Sequence, residues 1–252
     1  MKLLTKYRNE MILWLFLLGY VVIWPILYFV VPSLNSTQNR ISVELVVAII
    51  CLILYSTGYI FGKRYHSDGN VEYFGNNSRK ETNVAETITL IIISAFVGVL
   101  LYYAATFVNS VIQQLVLTKL LTRFPTLSEL PVEFDPNVSP LCKNLYLFGG
   151  IILGPITEEI VFRKLLYRKI AALFPSESTS LPIVLNSIIF AACHIVGYTL
   201  GVIIYHRPIV LLYKVLFYIL PGIVFQIMYN KTQDVKTSAV MHMVYNFMCI
   251  WW

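Results

Sequence analysis

The residues best suited to chemistry in this chain are few, and they sit where charge is expensive. In "GPITEEIVFR", from Gly154 to Arg163, two adjacent carboxylates and a guanidinium interrupt an apolar run. Each such charge costs about 2.5–3.5 kcal/mol at the centre of a membrane helix on insertion scales. Residues four apart share a helix face, so Glu159 is expected to pair with Arg163, each neutralising the other at short range. Glu158 is turned by about 100° from Glu159 and lacks that cation. A carboxylate left available in a low-dielectric site suits general base or acid work. Gly154 and Pro155 lie just before the pair, separated from it by Ile156 and Thr157, and are expected to break the preceding helix, because proline has no N–H and clashes with the turn before it. Broken helices at membrane depth line protein-buried or water-filled cavities, and water is the second reagent of a hydrolase.

Two more stretches bring polar groups into apolar surroundings. "FAACH" places Phe190 and His194 four apart on one face, and "HMVYN" does the same for His242 and Asn246. Taken singly, each has a plainer account. A lone intramembrane His or Asn is often a hydrogen-bonding contact between helices, the Glu159–Arg163 pair reads as structural, and Phe190 reads as packing. Those accounts leave unexplained why EExxxR, FxxxH and HxxxN occur together, in that order, on three separate apolar runs.

The elements that must position these side chains are membrane helices. Of 252 residues, 58% are hydrophobic and 13% charged, and mean hydropathy is +0.71, whereas a soluble domain is about one-quarter charged. Apolar stretches recur near the roughly 20 residues that cross a bilayer by helix, and a β-barrel would show short alternating segments instead. The expected fold class is all-α, a polytopic transmembrane helical bundle with about seven spans, near 11–31, 43–62, 86–121, 144–167, 181–205, 209–229 and 235–252. The first run follows Lys2, Lys6 and Arg8 but carries Trp14 and Trp24 and no small-residue cleavage site, so it reads as an uncleaved span. Residues 1–143 hold amino-terminal spans without a recognised motif; residues 144–252 hold every candidate site residue, within one integral membrane unit.

Seven spans with a cytoplasmic amino terminus place 13 of the 19 basic residues inside, which satisfies the positive-inside bias. Lys164, Arg168 and Lys169 then mark the membrane surface. The net charge of +6 is thus a matter of topology, and no nucleic-acid partner is implied. Thr122 to Lys143, with four prolines, is expected to be an exterior loop. Cys51, Cys142, Cys193 and Cys249 have no CxxC spacing and read as packing residues.

The motif combination resembles the CPBP family, also called the Abi family, of intramembrane glutamate proteases, which includes the CAAX prenyl endopeptidases and bacterial members linked to bacteriocin processing and self-immunity. The resemblance covers about Asn144 to Ile250. It implies that Glu158 activates water with His194 as its partner, that Glu159 and Arg163 form the supporting ion pair, and that His242 and Asn246 donate to the oxyanion of a tetrahedral intermediate, where a preorganised donor is worth about 3–4 kcal/mol. The substrate it implies is a membrane-associated peptide or protein, with peptide maturation or bacteriocin self-immunity placed ahead of CAAX-type processing, at the cytoplasmic membrane.

No cofactor is required on this reading. Zinc held by Glu158, His194 and His242 is the nearest chemical rival, but the chain has no HExxH, and the metal-free mechanism is favoured. Cys193 points about 100° away from His194 and gains no activation from it. Two other classes remain: a non-catalytic membrane scaffold or immunity protein that binds a sensor or transporter, and a proton-coupled transporter. The latter lacks paired repeats with matching broken helices. Oligomeric state is not legible.

Overall fold

A computed structural model describes residues 10–16, 84–112, 140–175, 180–205 and 208–251, with single positions at 49, 50, 53 and 114. Every regular element among the described residues is helical. We label α1 Val84–Ile112, α2 Pro140–Phe148, α3 Gly154–Glu159, α4 Tyr167–Ala171, α5 Ser180–Tyr205, α6 Pro208–Thr232 and α7 Val235–Trp251. Val84–Val108 and Lys143–Ala171 are long and apolar enough to cross a membrane, and Ser180–Ile195 is a shorter apolar helix. The expected all-helical class therefore stands. The runs at 11–31 and 43–62, on which the count of seven spans depends, lie mostly outside the described residues.

Two expectations need correction. The chain from Pro140 to Ala171 stays helical throughout, so Gly154 and Pro155 do not break it. Instead Gly149–Leu153 and Ile160–Leu166 are π-helical, and they flank α3 on both sides. Widening the turn by one residue lets the helix absorb a proline that would interrupt a regular ladder. The loop expected to reach Lys143 also ends earlier, since Pro140 already begins α2; proline suits a first turn, where its missing N–H has no partner to lose.

α7 is the central strut. It packs against α1, α6, α3 and both π segments. Its approach to α1 is close enough that a Cβ at Gly98 would lie 2.7 Å from the Met241 carbonyl oxygen. Only a residue without a side chain permits that crossing, as at small-residue contacts between membrane helices. The register of α7 is set at its start. Gln233, at φ 52°, ends α6 in the left-handed conformation, and its N–H bonds the Tyr229 carbonyl at 2.7 Å. Asp234 then caps α7 by accepting the Lys236 N–H at 3.0 Å.

Two apolar cores surround the polar centre. Ile160, Val161, Phe162 and Leu165 pack with Phe190, Cys193 and, from the helical stretch over 10–16, Ile12, Leu13 and Phe16. Leu101, Ala105, Phe225, Met241 and Tyr245 form the second. The amino-terminal stretch thus contributes packing to the site although it carries no chemical motif. It is tied down further by an ion pair between Glu10 and Lys169.

Candidate functional site

The π segments explain how one helix carries the acidic pair. In the first, the Gly154 N–H reaches five residues back to the Gly149 carbonyl, and a Cβ at Gly154 would stand 3.0 Å from that oxygen. With Gly154 so engaged, the donor five residues beyond Gly150 is Pro155, which has no N–H. The Gly150 carbonyl is left over, and Asn246 of α7 donates its side-chain Nδ2 to it at 2.9 Å. An exposed backbone acceptor in an apolar bundle needs such a partner. The second π segment closes with the Tyr167 N–H on the Phe162 carbonyl. π-bulges of this kind recur at functional sites.

Glu159 and Arg163 form the expected pair, and both side chains are fully buried. Arg163 Nε donates to Glu159 Oε2 at 2.9 Å, and Nη2 donates to Oε1 at 3.3 Å. This fork-to-fork geometry is the arrangement best able to offset the desolvation of both ions. The guanidinium carbon lies 4.9 Å from the ring centre of Phe190 and 5.8 Å from that of Phe225. Phe190 is therefore packing, as its position suggested, and it adds a desolvated cation–π contact.

Both carboxylates meet histidines. His242 Nδ1 donates to Glu159 Oε1 at 3.1 Å, while its Nε2 lies 3.8 Å from Glu158 Oε2. His194 Nδ1 is 2.8 Å from the Phe190 carbonyl, so that nitrogen carries the hydrogen, and Nε2 faces Glu158 Oε2 at 3.3 Å. Tautomer and ring direction of both imidazoles are thereby fixed from behind. With Nδ1 of His194 committed as a donor, Nε2 is the nitrogen left to face the Glu158 carboxylate. Glu158 Oε2 itself is buried, and none of these approaches has hydrogen-bond geometry. His194 stacks on Tyr218 at a ring-centre distance of 4.6 Å and meets Phe190 at 4.3 Å in a tilted contact, and Phe225 stacks on His242 at 4.5 Å.

The structure thus brings Glu158, Glu159, Arg163, His194 and His242 to one place, from three separate helices, with Phe190 beneath them. Asn246 stands one turn beyond His242 on α7, engaged with Gly150. Cys193 belongs to the apolar core beside the site.

Several residues escaped the sequence reading. The side-chain amides of Asn186 and Gln226 meet at 2.8 Å, those of Gln226 and Asn230 at 2.8 Å, and Asn230 meets the Tyr167 hydroxyl at 2.8 Å. Asn186 and Gln226 are fully buried. A signal existed: Asn186, Phe190 and His194 recur every four residues, as do Gln226 and Asn230, and polar side chains at membrane depth face the protein interior. Tyr218 and Phe225, by contrast, were indistinguishable from the many other aromatics.

Apolar helices enclosing a charged cluster define an integral membrane protein. Within it, residues 141–248 match the family model described as type II CAAX prenyl endopeptidase, Rce1-like. The resemblance carried by the motifs therefore holds for this part of the chain. No curated protein and no solved structure matches the chain.

Proposed function

We propose that this protein is a metal-free intramembrane endopeptidase in which Glu158 and His194 deliver water to a peptide carbonyl. One observation carries the reading: Glu158 Oε2, a buried acceptor without a hydrogen bond, is approached by two imidazole nitrogens from two other helices. A water seated there loses a proton to the Glu158–His194 pair as its oxygen bonds to the substrate carbonyl carbon. The same proton passes to the leaving amine as the C–N bond breaks, leaving carboxylic acid and amine products. His242 Nε2 donates to the developing oxyanion when the ring carries both protons, since Nδ1 is already committed to Glu159. Asn246 serves with its remaining amide hydrogen. Glu159 and Arg163 hold His242 in place.

Substrates on this reading are membrane-associated peptides, with leader-peptide maturation or bacteriocin self-immunity ahead of prenylated CAAX-type tails. We place the amino terminus and the mouth of the site on the cytoplasmic side of the cell membrane, from the distribution of basic residues. The test uses purified full-length protein in detergent with an internally quenched peptide ending in a farnesylated CAAX sequence, and with its unprenylated counterpart. Cleavage of either one should survive chelators, and Glu158→Gln and His194→Ala should each abolish it. Normal cutting by both variants would show that these residues do not carry the reaction. A membrane scaffold remains the second reading, favoured by the commitment of Asn246 to the Gly150 carbonyl. It predicts that Glu158→Gln leaves the cellular phenotype intact.

A further inference from the structure

Arg163 spends Nε and Nη2 on Glu159, and its third nitrogen points elsewhere. Nη1 lies 3.1 Å from the Asn186 side-chain amide, whose other end lies 3.3 Å from the Phe162 carbonyl oxygen. A guanidinium only donates and a carbonyl only accepts. One amide orientation therefore satisfies both: the Asn186 oxygen faces Arg163 and its nitrogen faces Phe162. The two ends of an amide are alike in size, so the neighbours must assign them.

That choice propagates. The Asn186 atom facing Arg163 also faces Gln226 at 2.8 Å. As an oxygen it requires the Gln226 nitrogen opposite it. The Gln226 oxygen then faces Asn230 at 2.8 Å and requires that residue's nitrogen. The Asn230 oxygen in turn faces the Tyr167 hydroxyl, also at 2.8 Å, which donates to it. With the opposite polarity every amide contact is equally short, but the chain ends with an N–H against a guanidinium in a fully buried site.

We infer that Tyr167, Asn230, Gln226 and Asn186 form a one-directional hydrogen-bond chain that holds Arg163, and through it Glu159 and His242, in which each group donates toward the guanidinium end and the Asn186 oxygen accepts from Arg163. These are positioning residues. The chain leads from the partly exposed Asn230 and Tyr167 to the buried ion pair. It links α6, α5 and the helix bearing the acidic pair through side chains alone. Its consequence for catalysis rests on the protease reading, whereas its polarity does not.

Asn230→Asp separates the two polarities. In the inferred direction residue 230 must donate to Gln226, which a carboxylate cannot do. In the opposite direction it accepts from Gln226, and the Tyr167 hydroxyl can donate to Asp as well. Gln226→Met instead severs the chain at similar volume. The primary readout is the 15N-imidazole spectrum of His242 in full-length histidine-labelled protein in micelles, assigned with a His242→Gln sample. The parent should show one Nδ1-protonated population, and both variants a second, exchange-broadened one. Turnover of the farnesylated quenched peptide should fall by about tenfold with KM within about twofold, as expected when a reacting group is slightly misplaced. A parent-like His242 spectrum in Asn230→Asp overturns the inference, as does unchanged kcat in that variant of an active parent. If the parent cleaves neither peptide, the protease reading fails and the imidazole spectrum still decides the chain. Should Gln226→Met not fold, Asn230→Asp, at a partly exposed position, carries the test alone.

Discussion

Glu158 and Glu159 are neighbours in sequence and opposites in environment. Both oxygens of Glu159 are occupied, by two guanidinium nitrogens and by His242 Nδ1. Glu158 has an imidazole at 3.3 Å and a second at 3.8 Å, and its Oε2 makes no hydrogen bond. The rotation of about 100° between adjacent helical residues thus separates a saturated carboxylate from one with acceptor capacity to spare. Saturation gives rigidity, and spare capacity on a rigid support is what a reacting group requires. The helix bearing both can hold them apart because α7 supports it twice, through His242 on Glu159 and Asn246 on Gly150.

The sharpest way to break this contrast is to strip Glu159 of its cation. Arg163→Leu leaves a fully buried carboxylate uncompensated, at a cost of about 3–5 kcal/mol. Thermal unfolding in detergent should show loss of the folded state or a large fall in Tm, and a Tm near the parent's would mean that Glu159 is not saturated by Arg163. Glu158→Gln should behave in the opposite way. It keeps the shape, so Tm should hold or rise, while kcat drops by about 10²–10⁴, the usual contribution of a positioned general base. Equal loss of stability in both variants would erase the distinction between the two carboxylates.

A smaller effect is expected at the second support. Asn246→Leu leaves the Gly150 carbonyl without its donor, costing about 1–3 kcal/mol, which calorimetry would register as a moderate fall in Tm. No change there would mean that the carbonyl finds another partner and that Asn246 is free for the reaction. Smallest of all is Lys169→Ala. Its ion pair with Glu10 is partly exposed, and such pairs contribute about 0–1 kcal/mol. A Tm shift rivalling that of Asn246→Leu would show that the amino-terminal stretch supports the site through charge as well as packing.

Local rules made much of this legible. The spacing of Phe190 and His194 and of His242 and Asn246 follows from helix periodicity, which α5 and α7 obey, and the Glu159–Arg163 pair forms as that period predicts although Ile160–Leu166 is π-helical. The helix class followed from apolar length. Gly154 and Pro155 misled, because the tabulated penalty for proline assumes an α-helical ladder, and the chain changed its ladder to one reaching five residues back. The Asn186–Gln226–Asn230–Tyr167 chain joins three segments far apart in sequence. Periodicity places each residue on a face but does not say which faces meet.

Short segments suffice to put charged and polar groups on single faces of apolar helices, since both the period of a helix and the cost of burying charge are local properties. Which of two adjacent carboxylates is saturated, which nitrogen of each histidine faces it, and which carbonyl Asn246 satisfies emerged from the packing of the helices. Those outcomes depend on distances of about 3 Å between side chains of different helices, and packing alone fixes distances on that scale.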